Sequence, residues 1–384
     1  MPRRFDSSSR YLYQTLADVT AEQERLANGD IAKIEPLAAP PDYISITWLA
    51  SKIGLYNESH PNPTAIKGTF FIGQGATFSV YRAEYGDKVY AVKQPRLVFE
   101  YAHDDAHTMR QLYSLHLELR VLTDRHIRAH GNIAKLKSIH WEEYPDDLGR
   151  YWPSLVMEYA DHGTLATCYD QGLELTVDSE KRLCFAVGDA LGFLHENGVI
   201  HGDIKPENVL MFKGEEPGGL LPKLSDFGFS VLDTNASPGL PGGTHDWEAP
   251  EILENAVLGE DLVYSDTYSF GLLLWYIARN GTRPFDKTVE LEVPFESTEA
   301  REVIRSLKKT KDIPRIATTS LAQDKSFYSE AFDLALGQDP RKRNLKSALK
   351  CLKLGISTDY PSSISETNLS GRTQASEVSL QETL

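Results

Sequence analysis

The hydrophobic pattern of this 384-residue chain changes once, near Glu158, and that change limits the folds open to it. Before it, from about residue 66, alternating and β-branched residues predict strands, with Gly86 and Asp87 placed for a hairpin turn. After it, apolar residues recur mostly at helical spacing, interrupted by a few short strands. The pattern therefore predicts an α+β fold of two lobes, a small β-rich lobe followed by a larger α-helical lobe.

Two helices of the second lobe can be placed in advance. Apolar residues recur at helical spacing from Leu183 to Leu194, with Asp178 positioned as the N-cap and Gly198 as the stop. The longest apolar run, FGLLLWYIA at 270–278, is too short to cross a bilayer. Because this run is apolar on every side, it predicts a helix buried in the core.

The regions outside the lobes differ in composition. The N-terminal extension is predicted at 1–65 and the C-terminal tail at 355–384. The first lobe is predicted at 66–158 and the second at 159–354. The two lobes together form one domain, 66–354. A helix is predicted at 11–29 within the extension, whereas the Ser/Thr-rich tail has few large apolar residues and is predicted to be disordered.

Charge and cysteine content exclude several classes of function. The net charge of −15 disfavours polyanions, so we expect no nucleic-acid partner. The N-terminus MPRRFDSSSR lacks the apolar stretch of a signal peptide, and we expect no membrane partner. Three cysteines without paired spacing predict neither a disulfide framework nor a zinc site. We therefore expect a location in the cytoplasm, with the nucleus as the alternative.

The first lobe contains a glycine-rich turn and a strand lysine that are suited to phosphate binding. In GQGATFSV (73–80), Gly73 and Gly75 allow the backbone to approach an anion closely. Thirteen residues after Val80, Lys93 stands in the strand segment AVK. From these motifs alone, the turn could be an ordinary turn, and Lys93 could be an exposed strand residue or a cation directed at phosphates.

The second lobe contains HGDIKPEN at 201–208, which combines an acid, a cation and an amide. Asp203 could orient a hydroxyl group and accept its proton, and Lys205 could offset charge on a phosphoryl group. Asn208 offers an oxygen ligand for Mg²⁺. Eighteen residues further on, Asp226 of SDFG supplies a charged oxygen for the same cation.

In this order the motifs resemble those of the eukaryotic protein kinase family, serine/threonine type, over residues 66–354. The resemblance implies ATP and Mg²⁺ as cofactors and Ser/Thr hydroxyls of protein substrates as acceptors. It implies that Asp203 is the base and that Lys93 fixes the triphosphate. Glu118 is the best candidate for the ion-pair partner of Lys93, and Glu100 is less suitably placed. The resemblance further implies Lys205 for charge neutralisation and Asn208 and Asp226 for Mg²⁺.

The resemblance also implies which residues contact the nucleotide. These lie in the turn, the strands and the link between the lobes: Ile72, Gly73, Gly75, Val80, Ala91, Lys93, Met157, Glu158, Ala160 and Leu210. Further along, GGTHDWEAPE (242–251) resembles the end of an activation segment. Thr244 would frame the peptide-docking loop, and Glu251 would pair with Arg343. Asp266 would hold the backbone of the catalytic loop, residues 201–208.

Two residues depart from the family pattern. Phe78 stands where many members have a third loop glycine, and it could cap the cleft from above. Gly202 stands where many members have the arginine that receives the phosphate of a modified activation loop. We therefore expect activity that does not depend strongly on such phosphorylation, so that replacing Ser230, Thr234 and Ser237 by alanine leaves turnover within a few-fold.

Other functions stay open on the sequence. Lys205, two residues after Asp203, favours Ser/Thr over Tyr as the acceptor. A pseudokinase scaffold would bind nucleotide and partner proteins without efficient transfer, but such proteins usually lose a residue of the set that is present here. A small-molecule kinase would lack the peptide-docking loop. An adaptor would depend on the flanking regions, with the kinase domain secondary.

Overall fold

The computed structural model describes most of the chain between residues 42 and 365. The described segments are 42–54, 67–75, 77–96, 105–141, 152–215, 219–232, 243–253, 259–286, 297–322, 325–353 and 364–365. The helix predicted at 11–29 lies outside these residues, as do Glu100, Thr234 and Ser237. The predicted tail also lies outside them, apart from residues 364–365.

The first lobe is built on a five-stranded antiparallel sheet with the strand order β1-β2-β3-β5-β4. Its strands are β1 (Lys67–Gln74), β2 (Phe78–Tyr85), β3 (Lys88–Pro95), β4 (Leu136–Trp141) and β5 (Pro153–Glu158). The predicted turn between β2 and β3 is confirmed, and Gly86 has the positive φ of 61° that favours glycine there. The strand-rich character predicted for this lobe is therefore confirmed.

The helices of the first lobe are α1 (Tyr43–Gly54), α2 (Asp105–Thr123) and α3 (Arg125–Ala129). The second lobe contains α4 (Leu165–Asp170), α5 (Val177–Glu196), α6 (Pro250–Leu253), α7 (Leu262–Ala278), α8 (Thr298–Thr310), α9 (Ile313–Thr319), α10 (Tyr328–Ala335) and α11 (Leu345–Lys353). A small antiparallel sheet joins β6 (Val209–Lys213), β7 (Gly219–Leu224) and β8 (Ile364–Ser365). The two-lobed α+β architecture is as predicted.

Helix α1 was missed by the sequence analysis, although its signals are present. Asp42 Oδ1 accepts the backbone N–H of Ser45 at 2.7 Å, which is the pattern of a helix start. Ile46 and Leu49 are buried in the main core, three residues apart as helical spacing requires. The helix packs on α2 and β4, so this part of the predicted extension belongs to the core of the first lobe.

The start predicted for α5 is wrong by two residues. Thr176, not Asp178, is the N-cap, and its side-chain oxygen accepts the N–H of Ser179 at 3.2 Å. Asp178 lies within the first turn, where its carboxylate accepts a hydrogen bond from Arg182 Nε at 3.0 Å. The predicted end is confirmed, because Gly198 follows the helix with a φ of 76°.

Helix α7 contains the apolar run 270–278 and is buried along nearly its whole length, as predicted. Trp275 is fully buried, and its Nε1 donates to Ser320 Oγ at 2.8 Å. This helix therefore forms the centre of the second lobe, against which the catalytic loop is held. Within the described segments, no helix is long and apolar enough to span a membrane.

A buried ion pair joins α5 to the chain that leads into α10. Lys325 Nζ lies 2.6 Å from Glu180 Oε1 and donates to the carbonyl of Ala278 at 2.9 Å. Glu180 is 1% exposed, so its charge depends on this partner. The two residues are separated by 145 positions, and no local pattern indicates their contact.

Candidate active site

The register of the first sheet places four predicted nucleotide contacts on one face. Val80 of β2 stands opposite Lys93 of β3, and Ala91 of β3 stands opposite Met157 of β5. Opposed residues share a face of a sheet, and every second residue along a strand returns to that face. Val80, Ala91, Lys93 and Met157 therefore face the same side, although they come from three strands.

The remaining predicted contacts lie in the glycine-rich turn, on β6 and at the link between the lobes. Gly75 donates its N–H to the carbonyl of Phe78 at 2.8 Å, which closes the glycine-rich turn. Gly73 pairs with Val80, and Ile72 next to it is 48% exposed. Leu210 lies on β6 and packs against the main core.

The link between the lobes is held through Glu158. Its N–H donates to the carbonyl of Lys135 at 3.1 Å, and its carboxylate accepts from Lys223 Nζ at 2.7 Å. The carbonyl of Ala160 accepts the N–H of Gly163 at 3.1 Å. The link is thus fixed by hydrogen bonds to both β7 and the segment before β4.

Lys93 brings three parts of the chain together. Its Nζ lies 2.6 Å from Glu118 Oε1 on α2 and 3.4 Å from Asp226 Oδ1 in the second lobe. Glu118 is fully buried, and its other oxygen accepts the N–H of Phe227 at 2.5 Å. The carboxylate of Glu118 therefore ties the strand lysine to the backbone that follows Asp226.

The opposite charges of Lys93 and Asp226 stabilise each other, whereas burial raises the pKa of Glu118. Burial lowers the pKa of Lys93, but the carboxylates of Asp226 and Glu118 outweigh burial and raise this pKa above its ordinary value. Enclosure in the cleft raises the pKa of Asp226, but the positive charges of Lys93 and Lys205 outweigh it and lower this pKa. At neutral pH the site therefore holds a charged lysine beside an ionised Asp226.

Phe78 packs under the glycine-rich turn. Its side chain is buried, and the centre of its ring lies 4.6 Å from Lys93 Nζ, within the range of a cation–π contact. The neighbouring Thr77 donates its hydroxyl to Ser114 Oγ of α2 at 3.0 Å. The turn is therefore bonded to α2, and the Phe78 ring lies beside the ammonium group of Lys93.

The carboxylate of Asp203 is held by three donors. Lys205 Nζ lies 2.6 Å from its Oδ2, and Asn208 Nδ2 donates to the same oxygen at 2.9 Å. Thr244 donates its hydroxyl to Asp203 Oδ1 at 2.7 Å and accepts a hydrogen bond from Lys205 at 2.7 Å. These three side chains fix the orientation of the carboxylate, although Thr244 comes from a distant segment.

His201 connects the catalytic loop to the strand end before Asp226, a role that the sequence analysis missed. Its ring is fully buried, and burial lowers its pKa, so the imidazole is neutral. Nδ1 accepts the N–H of Asp203 at 3.3 Å, which leaves the proton on Nε2 to be donated to the carbonyl of Ser225 at 3.1 Å. The ring thus connects the backbone of Asp203 to the residue that precedes Asp226.

Asp266 of α7 holds the backbone of the catalytic loop, as the sequence predicts. Its Oδ2 accepts the N–H of His201 at 2.7 Å, and its Oδ1 accepts the N–H of Gly202 at 2.9 Å. His195 Nε2 lies 2.9 Å from the same Oδ2. A buried carboxylate with three partners therefore anchors the loop to the central helix.

Asn208 and Asp226 are suited to hold Mg²⁺ only together with further oxygen ligands. The carbonyl of Asn208 accepts the N–H of Ser225 at 3.0 Å, which places Asn208 beside the residue that precedes Asp226. Across the described segments, no group of three or more His, Cys, Asp or Glu side chains could hold a metal ion. Because Mg²⁺ commonly binds one or two protein oxygens plus phosphates, this pair fits a metal that arrives with a nucleotide.

Comparisons with known proteins agree with this geometry. The sequence pattern of the protein kinase domain matches residues 68–352. Curated relatives include calcium/calmodulin-dependent protein kinase type 1 of Caenorhabditis elegans, which is 31% identical over 56% of this chain and 56% of its own length. Aurora kinase of Schizosaccharomyces pombe is 28% identical over 73% of this chain and 74% of its own length.

A third relative is the serine/threonine-protein kinase mos of Xenopus laevis, which is 32% identical over 53% of this chain and 55% of its own length. The chain thus spans about half the length of two of these relatives and about three quarters of the third.

The backbone at Gly202 generates a prediction about stability. Its φ of 81° lies in the left-handed region, which costs other residues about 1–2 kcal/mol. We expect Gly202→Ala to lower the free energy of unfolding in urea by about 1 kcal/mol for this reason. Gly131→Ala is the matched control, because an added Cβ there meets nothing within 4 Å and φ is not in that region. Equal effects of the two substitutions would contradict the prediction.

Proposed function

This chain belongs to the protein kinase family, and we propose that it is a serine/threonine kinase that transfers the γ-phosphoryl group of ATP to hydroxyls of protein substrates. The observation that carries the proposal is the meeting of two clusters. Lys93, Glu118 and Asp226 form one, and Asp203 and Lys205 belong to the other. The two are close enough for Lys205 to lower the pKa of Asp226.

The proposed step uses the carboxylate of Asp203 as the base. The substrate hydroxyl oxygen forms a bond to the γ-phosphorus, its proton passes to Asp203, and the bond to ADP breaks. Lys205, 2.6 Å from that carboxylate, offsets the negative charge that develops on the transferred group. Thr244 and Asn208 keep Asp203 in one orientation, so that the base is in position before the substrate arrives.

Nucleotide binding is assigned to residues of both lobes. Lys93 would hold the phosphates, while Val80, Ala91 and Met157 line the sheet face against which the adenine would lie. Mg²⁺ bound with ATP would neutralise phosphate charge, and Asn208 and Asp226 would be its protein ligands. No nucleic-acid or membrane partner enters this proposal.

Serine or threonine is the proposed acceptor. Lys205 bonds both Asp203 and Thr244, and this contact supports the Ser/Thr pattern inferred from the spacing of the lysine and the aspartate. One of the relatives also carries serine/threonine-protein kinase in its name.

We further propose that activity does not require phosphorylation of the activation loop. Gly202 provides no cation at the position from which an arginine would bind such a phosphate. Ser230, one of the three hydroxyls considered, is 1% exposed and donates to the carbonyl of His201 at 3.2 Å. The hydroxyl of Ser230 therefore bonds the catalytic loop. Thr234 and Ser237 are the two hydroxyls whose replacement tests the role of phosphorylation.

One observation favours the alternative function, a pseudokinase scaffold. The Phe78 ring lies against Lys93, where it would compete with phosphates for the ammonium group. The retention of Lys93, Asp203 and Asp226 favours the enzyme, and catalytic assays distinguish the two.

We expect Asp203→Asn to lower the turnover of myelin basic protein phosphorylation by about 10²–10⁴-fold, because the variant lacks the base. Turnover would be followed with radiolabelled ATP, and mass spectrometry would identify the phosphorylated side chains. Equal turnover by the variant and the wild type, or the absence of phosphoserine and phosphothreonine, would contradict the proposal.

For the activation loop, the double variant Thr234→Ala/Ser237→Ala should keep its turnover within a few-fold of wild type. The physical reason is that no cation at position 202 makes use of a phosphate on this loop. The same assay applies, with Ser230→Ala measured separately because it removes a hydrogen bond to the catalytic loop. A collapse of turnover in the double variant would refute the independence from phosphorylation.

A further inference from the structure

Helix α8 carries a lysine whose charged end is fully buried. Lys308 has no exposed surface, and its Nζ donates to the backbone carbonyls of His245 at 3.2 Å, Asp246 at 2.8 Å and Glu248 at 2.7 Å. Lysines are almost never fully buried without partners. The three partners here all belong to one short segment, about 60 residues earlier in the chain.

The number of acceptors matches a protonated amine. An ammonium group has three N–H donors, whereas a neutral amine has two. Burial lowers the pKa of Lys308 to about 7, and the carboxylates of Asp246, Glu248 and Glu251 act in the opposite direction. The face of the Phe285 ring lies 5.7 Å from Nζ. Backbone carbonyls, carboxylates and an aromatic face thus offset part of the cost of burying this charge.

The remaining carbonyl of the segment is bonded from α7. Ser269 Oγ donates to the carbonyl of Trp247 at 2.8 Å. Four successive carbonyls, those of residues 245–248, therefore accept hydrogen bonds from side chains of the two helices. Just beyond them, Glu251 pairs with Arg343 Nη2 at 2.9 Å, as the sequence predicts.

This segment begins beside the catalytic base. Thr244, directly before the bonded carbonyls, donates to Asp203 at 2.7 Å and accepts from Lys205 at 2.7 Å. We refer to residues 243–248 as the docking segment, because under the proposed function these residues bind the acceptor peptide. A shift of its backbone would move both the peptide surface and the hydroxyl that orients Asp203.

We propose that Lys308 is a positioning residue for the docking segment, holding it in the form that binds the acceptor protein without an activation-loop phosphate. The proposal rests on the proposed function and gives a physical cause for its independence from phosphorylation. An arginine directly before Asp203 would anchor the activation loop by binding its phosphate. Gly202, which stands at that position, has no side chain to do so. Lys308 anchors the docking segment through hydrogen bonds from its own side chain.

Removal of the ammonium group should displace the segment. In Lys308→Met the side-chain volume is largely kept, but three carbonyls each lose a donor, and that of His245 keeps the N–H of Glu248 at 3.4 Å. Unbonded carbonyls are costly when buried, so the segment is expected to move toward water and away from its docking position. Nucleotide contacts on the first sheet do not involve this segment, so binding of ATP should change little.

The experiment compares Lys308→Met with Lys309→Met, which alters the next residue of the same helix, an exposed lysine. For Lys308→Met, kcat/KM for myelin basic protein should fall roughly tenfold or more, the size expected when charged hydrogen bonds are lost, and KM for ATP should stay within a few-fold. Amide hydrogen exchange in 243–253 should accelerate while exchange in α5 and α7 is unchanged. Because the three carbonyl contacts belong to Lys308, Lys309→Met should match the wild type in kcat/KM and in exchange within 243–253.

Equal behaviour of the two variants would overturn the proposal. A change in KM for ATP together with faster exchange throughout the second lobe would also overturn it, because that result indicates a lysine with only a structural role. If Lys308→Met does not fold, Lys308→Gln, which keeps two N–H donors, is expected to show the same selective loss and is judged by the same criteria. If the wild type transfers no phosphate, the proposed function fails. The exchange measurement still decides whether Lys308 anchors the segment.

Discussion

The contact of Lys93 with Glu118 and Asp226 is the interaction on which the site depends. It joins strand β3, helix α2 and the second lobe, three elements that are distant in the sequence. Separating Lys93 from Glu118 is costly, because Glu118 is fully buried and Lys93 is only 13% exposed, whereas the side chain of Asp226 is 40% exposed. The sheet, the helix and the second lobe must therefore pack in one arrangement for all three charges to be satisfied, and that arrangement presents a cation and a carboxylate to the cleft.

The same principle recurs away from the cleft. Lys308 and Lys325 are both buried lysines that join distant segments, one through backbone carbonyls and the other through Glu180. Asp266, a buried carboxylate on α7, likewise joins distant segments by accepting the N–H groups of His201 and Gly202. Polar groups that are fully paired specify one geometry, because any shift leaves a buried group without its partner. The positions of Asp203 and of the docking segment follow from such pairs.

The two-lobed fold and the candidate site could be predicted from the sequence because short, ordered motifs carry them. Local spacing also predicted the helix end at Gly198 and the buried helix at 270–278. The family resemblance predicted the contact of Asp266 with the backbone of the catalytic loop. The N-cap of α5 could not be placed, because Thr176 and Asp178 both suit that role and only the backbone decides between them. The contacts of Lys308 could not be predicted, because its partners are backbone carbonyls, which every residue possesses.

Calorimetric titration of the full chain with ATP, in the presence and absence of Mg²⁺, tests the central claim most directly. The claim is that Lys93, Asn208 and Asp226 converge on a single metal-bound triphosphate between the lobes. The account predicts ATP binding that Mg²⁺ strengthens in the wild type and no longer strengthens in Asp226→Asn. Absence of nucleotide binding by the folded wild type, or equal strengthening by Mg²⁺ in both proteins, would contradict it.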